Sequence, residues 1–462
     1  MIRIENSSKQ EIKTIIEAQK VFFRRGETLD LDFRLQALRA LKTAILKWEK
    51  CIAEALWLDL HKSYEEAYLT ELSIVLSEID NHLKHLKNWT APKRVATPIK
   101  MMPSCSKVVA EPLGCSLIIA PWNYPVQLLL NPLVGAISAG CTALLKPSPY
   151  VPHTSKVVEE MIKETFRPEY IGIVQGNREV NAALLEERYD LIFFTGSPQL
   201  GRTVMRAASE NLTPVVLELG GKSPCIVDKD ANIAIAARRI AWGKSLNAGQ
   251  TCIAPDYLLV HENVKEPLIE ALKNEFTHLL GTDPKEAKHF VRIVNERAFD
   301  RLVGYIENAN VVMGGEYDRS ERYIAPTIID HVDVSSPIMQ EEIFGPIFPI
   351  VTFNTTDEAI NFVQDREKPL ALYYFSESKQ NIRRVLKHTS SGGTCINDTI
   401  MHIANENLPF GGVGHSGMSA YHGKESFRVF SHYRAVVTTT TLLDLPFRYM
   451  PYKFFKWIKG LL

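Results

Sequence analysis

One cysteine of the seven in this 462-residue chain is set apart by its surroundings. Cys252 closes the run Asn247-Ala248-Gly249-Gln250-Thr251-Cys252, and Ile253-Ala254-Pro255 ends the turn before a strand. Gly249 permits close backbone approach or a special dihedral, so a sulfur can stand at a loop tip with its own N–H free to donate to a developing oxyanion. A thiolate there is a nucleophile; a cysteine in apolar sequence is otherwise an inert small hydrophobe. Glu218 lies in Val215-Val216-Leu217-Glu218-Leu219-Gly220-Gly221, bracketed by aliphatic residues at a strand end. Desolvation there raises a carboxyl pKa toward the range of a general base, the alternative being a cap on the next element.

Asn123 sits in Ala120-Pro121-Trp122-Asn123-Tyr124-Pro125, between a buried strand and a helix. Ligand sites in parallel sheets lie at such strand ends. Two prolines and two aromatics stiffen the loop, which makes the amide either a preorganised donor or a structural turn residue. The run Gly196-Ser197-Pro198-Gln199-Leu200-Gly201-Arg202-Thr203 nearly matches the phosphate loop G-x-x-x-x-G-K-[ST], but Arg202 replaces the lysine and is not an equivalent point charge. What survives is a strand, a glycine-bearing turn and a helix N-terminus, a seat for a phosphorylated ligand. Lys146, just after the strand Thr142–Leu145, can reach a ribose hydroxyl or phosphate, or simply end a strand. Glu342 and Phe344, in Gln340-Glu341-Glu342-Ile343-Phe344-Gly345-Pro346, can hold a sugar and a ring face, or merely close a loop.

The elements that must carry these groups alternate. Residues 8–90 read as helices, with Leu31, Leu35, Leu38, Leu41 and Ile45 at steps of three and four and Arg34, Arg39 and Lys42 between them facing out. From about residue 108, strands at Cys115–Ala120, Thr142–Leu145, Ile171–Gln175 and Leu191–Thr195 are spaced by helices such as Ser155–Thr165 and Val180–Glu187. That spacing predicts βαβ units and a parallel sheet. A second series starts near Pro224, with strands Cys225–Val227, Tyr257–Val260, Phe348–Phe353, Leu370–Phe375 and Gly393–Ile396 and helices Ile233–Ser245 and Val264–Leu280. Two α/β halves therefore meet around residues 218–224.

Composition narrows the classes. Lys plus Arg equals Asp plus Glu at 53 each, which argues against a nucleic-acid coat or a polybasic membrane-surface protein. With 45% hydrophobic and 23% charged residues the chain is not wholly disordered, and its length suggests about two to three domains. The odd, scattered cysteines, without a C-x-x-C, fit neither a disulfide framework nor a zinc knuckle, so no metal is expected. The charged N-terminus has no apolar signal core, and the expected location is the cytoplasm. The charge-free span between Glu111 and Lys146 is long enough to cross a bilayer. Pro121, Asn123, Pro125, Asn131 and Pro132 interrupt it, and it reads instead as buried strand, loop, apolar helix and buried strand. Leu445 to Leu462 combines aromatics with Lys453, Lys456 and Lys459 and reads as a docked or frayed terminus rather than a membrane-surface helix.

Taken in order, these segments resemble the aldehyde dehydrogenase superfamily. The matching blocks are APWNYP at 120–125, KPSP at 146–149, FTGS at 194–197, LELGGKSP at 217–224, GQTC at 249–252, EEIFGP at 341–346 and PFGGVGHSGM at 409–418. The ending YHGKESFRVFSH at 421–432 is most similar to the class 3 branch. The resemblance implies a Rossmann-like dinucleotide-binding domain over 1–85 and 107–218 and a catalytic domain over 219–405. It further implies a bridging and oligomerisation element over 86–106 and 406–440, a tail over 441–462, and a homodimer.

By the same resemblance, Cys252 is the nucleophile, Glu218 the general base and Asn123 the oxyanion donor. Lys146, Gly196, Ser197 and Gly201, with Trp122 and Leu219, contact NAD or NADP; Glu342 holds the nicotinamide ribose and Phe344 lies beside the ring. The implied reaction is oxidation of an aldehyde to a carboxylic acid through a thiohemiacetal and a thioester. Many relatives carry a glutamate at the position of Pro149 that repels a 2′-phosphate; its absence predicts that NADP⁺ is tolerated alongside NAD⁺. Competing readings are an acyl-CoA-forming relative, which generally lacks the glutamate of the LELGG block, and more remotely a phosphate-loop nucleotide hydrolase.

Overall fold

In the computed structural model, which describes residues 4–444, 446 and 449–460, strand Cys115–Ile119 lies between two parallel neighbours, Thr142–Lys146 and Leu191–Gly196. All five of its residues are buried, as a strand covered on both faces requires. From it the chain winds outward to Thr142–Lys146 and Ile171–Ile173, then returns past its start to Leu191–Gly196 and Val215–Leu219. Strand order thus reverses beside Cys115–Ile119, and such a switch point leaves a crevice beyond the carboxyl ends of the strands. A short strand from far along the chain, Gly417–Met418, closes the outer edge by pairing antiparallel with Val215–Leu219.

The second sheet has seven strands, in the order Asn310–Met313, Thr327–Asp330, Ile347–Phe353, Tyr257–His261, Pro224–Val227, Ala371–Phe375 and Gly393–Ile396. All pairings are parallel except that of Asn310–Met313. The third sheet is antiparallel: Ser104–Pro112 pairs with Ser431–Thr439 over nine positions and with Lys93–Val95 on its other side. The fold is therefore α/β, with two mainly parallel sheets and a small antiparallel one.

The strands expected from the sequence form, with ends shifted by a residue or two, and helix Ile233–Ser245 has the expected bounds. Span 111–146 becomes strand, loop, buried helix Gln127–Ala139 and strand, and among the described residues no helix is long and apolar enough to cross a membrane. Described side chains from Val437 onward are exposed, and a short helix covers Phe455–Lys459.

One expectation fails. Arg34 does not face out from helix Leu31–Leu60; it is buried. Its guanidinium donates to the carbonyls of Thr28 at 2.6 Å, Leu29 at 3.1 Å and Ser138 at 3.3 Å. Five fixed N–H donors facing three backbone acceptors make that burial tolerable, which helical spacing alone does not reveal.

Candidate active site

Two strand ends and three loops converge at the switch-point crevice. The cleft there, about 190 Å³, is lined by Trp122, Asn123, Gly196, Ser197, Glu218, Leu219, Cys252, Glu342 and Phe344. Of the expected site residues, only Lys146 and Gly201 are not on its wall. Lys146 ends the adjacent strand, opposite Ile119, and Gly201 lies in helix Pro198–Ser209, where a Cβ would stand 2.7 Å from the Leu219 side chain.

Cys252 follows a backbone turn of unusual conformation. Asn247, Ala248 and Gly249 have φ of 51°, 51° and 70°, three successive left-handed residues of which two carry a Cβ. Strain of this kind persists only where surrounding contacts over-determine it. Gln250 is one clamp: its side chain donates to the Asn247 and Arg292 carbonyls and accepts from the Val294 N–H at 3.0 Å. Gly249 is another, since a Cβ there would stand 2.4 Å from the Gly345 carbonyl oxygen. The Cys252 thiol is half-buried, and desolvation, then the carboxylates of Glu342 and Glu218, push its pKa well up against the lowering effect of the Cys252 and Ile253 N–H groups.

Glu218 is buried on strand Val215–Leu219, and neither carboxylate oxygen has a hydrogen-bond partner. It is not a cap. Burial drives its pKa well above the ordinary carboxylate value. Asn123 is buried, with Nδ2 donating to the Gln250 carbonyl at 3.1 Å; an amide has two N–H groups, which leaves one for a ligand.

Sequence reasoning missed the struts beneath these groups. Lys62 and Glu71, both fully buried, form an ion pair at 2.7 Å. Lys62 Nζ also donates to the Asn123 carbonyl at 3.2 Å, while Glu71 accepts from the N–H groups of Val126 and Gln127 at 2.8 and 3.3 Å. On the far wall, Lys222 donates to Asp256 and to the carbonyls of Ile338 and Glu341, and Arg301 donates to those of Glu342 and Ile343. Neither set carries a local signal, because each partner is a Lys, Arg, Glu or Asp in polar-looking sequence.

The residues present fit a dinucleotide. Lys146 is buried with one hydrogen bond, to the Pro147 carbonyl at 2.7 Å, and desolvation lowers its pKa to about 8. An ammonium has three donors, so two remain for ribose or phosphate oxygens. Ser197 caps helix Pro198–Ser209, whose N-terminus favours anions. Glu342 is raised to about 8, by burial first and by Asp256 second, and lies so close to Gly220 that a Cβ there would meet its carboxylate oxygen at 2.1 Å. Phe344, at φ 51°, meets Trp122 edge to face with centroids 5.4 Å apart.

A switch-point nucleotide crevice holding a thiol, an unpaired buried carboxylate and an amide defines an oxidoreductase of the covalent-catalysis type. Residues 1–436 match the aldehyde dehydrogenase family model. The chain is 49% identical over 444 residues, 96% of itself and 97% of the relative, to the 4,4'-diaponeurosporen-aldehyde dehydrogenase of Staphylococcus aureus (strain NCTC 8325 / PS 47). It is 45% identical over 431 residues, 93% of itself and 95% of the relative, to an "aldehyde dehydrogenase, dimeric NADP-preferring" of Rattus norvegicus. The solved substrate-bound Staphylococcus aureus AldH superposes with a TM-score of 0.96 at 48% identity, covering 97% of this chain and 99% of that one. The chain belongs to the aldehyde dehydrogenase family, in its class 3 branch, and is an NAD(P)⁺-dependent aldehyde dehydrogenase.

Proposed function

We propose that Cys252 is the nucleophile, Glu218 the general base and Asn123 the oxyanion donor of this aldehyde oxidation. The observation that carries the reading is the presence, in one cleft, of a half-buried thiol and a buried carboxylate with no partner of its own. Cys252 gives its proton to solvent water and its sulfur bonds the aldehyde carbon, placing negative charge on the oxygen. The free Asn123 N–H and the Cys252 backbone N–H stabilise that oxygen; loss of one such donor typically costs about 10²–10³-fold in rate. Bound NAD(P)⁺ would supply the acceptor for the hydride that leaves this carbon as the oxyanion collapses to a carbonyl. The oxidised carbon is left as a thioester on Cys252. Glu218 takes a proton from water, whose oxygen attacks the thioester carbon; the C–S bond breaks, the acid leaves and the sulfur is restored.

Lys146 and the Gly196–Ser197 turn, with Trp122, Gly201 and Leu219 around it, hold the dinucleotide; Glu342 binds its nicotinamide ribose and Phe344 lies beside the ring. Pro149 offers no carboxylate against a 2′-phosphate, and a relative is named NADP-preferring, which supports dual use. We assign the aldehyde's carbon chain to a second cavity of about 620 Å³, bordered by Leu69, Ile74, Trp242, Leu246, Ile400 and Ile403, whose wall reaches the turn before Cys252 through Leu246 and Glu66. That lining favours medium-chain aliphatic or aromatic aldehydes. Seven unpaired cysteines suit a reducing cytoplasm, and the word "dimeric" in a relative's name supports a homodimer.

The test is an aldehyde panel with NAD⁺ and NADP⁺, repeated on Cys252→Ala. The variant is expected to lose turnover with both cofactors, and the wild type to use the two with kcat/KM values within about tenfold, under 1.4 kcal/mol. Persistent dehydrogenase turnover in Cys252→Ala would falsify the nucleophile assignment.

A further inference from the structure

The left-handed turn before Cys252 receives one bond from the wall of the aldehyde cavity. Glu66, on the short helix Tyr64–Ala67, lines that cavity, and its Oε1 accepts the backbone N–H of Asn247 at 2.7 Å. Asn247 is the first residue of the strained turn, where a side-chain-bearing residue at φ 51° must be held in place. Its own side chain passes the constraint on: Nδ2 donates to the Asn123 carbonyl at 3.0 Å and to the Gln250 carbonyl at 2.9 Å. The Gln250 carbonyl is also the acceptor for Asn123 Nδ2. Three residues therefore connect the substrate cavity to the oxyanion donor through side-chain and backbone hydrogen bonds. Lys62 donates to the same Asn123 carbonyl, while neither Lys62 nor Glu71 bonds the Asn247 N–H.

We propose that Glu66 is a positioning residue for the reaction: from the cavity wall its carboxylate fixes Asn247, and through Asn247 it keeps Asn123 and the Cys252 turn in the geometry that receives the oxyanion. The inference rests on the roles given above to Cys252 and Asn123.

A carboxylate is a stronger acceptor than a carboxylic acid, so the turn is held most firmly when Glu66 is ionised. The charged groups facing it are Lys62 and His289, which lower its pKa, and Glu71, which raises it; exposed Glu65 precedes it on the same helix. Burial outweighs them and leaves the carboxyl at about 7. A hydrocarbon chain entering the cavity strips more water from this group and raises it further. The acid limb set by Glu66 therefore lies higher in the enzyme–aldehyde complex than in the free enzyme, and higher for a long aldehyde than for a short one.

The experiment measures kcat/KM and the single-turnover rate of reduced-cofactor formation at saturating aldehyde, from about pH 5.5 to about pH 9, since the first reports the free enzyme and the second the complex. Propanal and decanal are the substrates, with NAD⁺, for wild type, Glu66→Ala and Glu66→Gln. Glu66→Ala is expected to lower the single-turnover rate about tenfold with both aldehydes, less than the loss of an oxyanion donor outright, while KM for NAD⁺ is unchanged. Glu66→Gln keeps an acceptor oxygen and recovers most of that loss. In wild type the acid limb near pH 7 moves up from propanal to decanal; in Glu66→Gln this chain-length shift disappears. A Glu66→Ala rate within twofold of wild type, or an unchanged shift in Glu66→Gln, overturns the proposal. Should Glu66→Ala melt below the assay temperature, the Glu66→Gln profile decides alone. Cys252→Ala run alongside separates the two failures: turnover without the thiol defeats the catalytic assignment, whereas a dead Cys252→Ala with a normal Glu66→Ala defeats only this inference.

Discussion

Glu218 spends stability on reactivity. Its carboxylate oxygens are buried and unpaired, and its pKa in the folded state is raised above the unfolded value by burial. At pH values below the unfolded pKa both states are protonated and the difference in titration costs nothing. As pH rises toward the folded pKa, the unfolded chain releases the proton that the folded chain retains, and stability falls. Glutamine does not titrate and has no such loss. Glu218→Gln is therefore expected to melt higher than wild type at pH 8, with the gap closing by about pH 4, as followed by thermal unfolding at the two pH values. The same variant is expected to release reduced cofactor in a single burst and then stall, with steady-state turnover down about 10²–10⁴-fold. That Cys252, Glu218 and Asn123 stand at loops or strand ends, where they line one cleft, was legible in the sequence because the glycines, prolines and aromatics that shape each turn are contiguous with it. Lys62, Glu66 and Glu71 were not, since their partners lie 61, 181 and 55 positions away.

At the scale of elements, the segment 61–72, a short connection followed by helical turns from Tyr64, forms a wall behind the Asn123 and Cys252 loops. Removing one charge of a fully buried ion pair leaves the other uncompensated, which costs about 3–5 kcal/mol. Glu71→Gln should therefore lower denaturant-measured stability by that order and weaken catalysis as the Asn123 loop loosens. The double replacement Lys62→Met with Glu71→Leu should recover part of the stability without the activity, because the N–H groups of Val126 and Gln127 lose their acceptor. Gly249→Ala is expected to be worse for activity than Glu71→Gln: its φ of 70° and the Gly345 carbonyl both exclude a Cβ, and the Cys252 turn must move. Comparison of kcat/KM for these variants at a temperature where all remain folded checks the order. Element type was readable from period and spacing; Arg34 shows the limit, since a position between apolar helical steps can still point at a second layer of backbone carbonyls.

For the whole molecule, the small antiparallel sheet is the exposed feature. Strand Ser431–Thr439 pairs along one edge only, and most of its side chains face solvent in the single chain. An unpaired edge of nine residues is a template for another chain. Sedimentation is expected to give a dimer of about 104 kDa, twice the 52.2 kDa chain, and a charge-reversed edge, Arg434→Glu with Val436→Glu, is expected to shift it toward monomer. The proposed domain limit between 106 and 107 falls inside strand Ser104–Pro112, all nine residues of which pair in the antiparallel sheet, so no break in the chain marks that limit. That continuity could not be read from a sequence in which no polar spacer marks the boundary.

The edge strand Gly417–Met418 has a temporal consequence. It pairs with Glu218 and Leu217, and the Ser416 carbonyl accepts the N–H of Leu219, so the backbone carrying Glu218 is braced by residues translated some two hundred positions later. Some two hundred residues must be added after Glu218 before this brace can form, and a nascent chain already bearing Cys252, Glu218 and Asn123 is expected to stay inert until then. A chain stopped before residue 416 is expected to keep its thiol yet show no aldehyde turnover, read as reduced-cofactor formation.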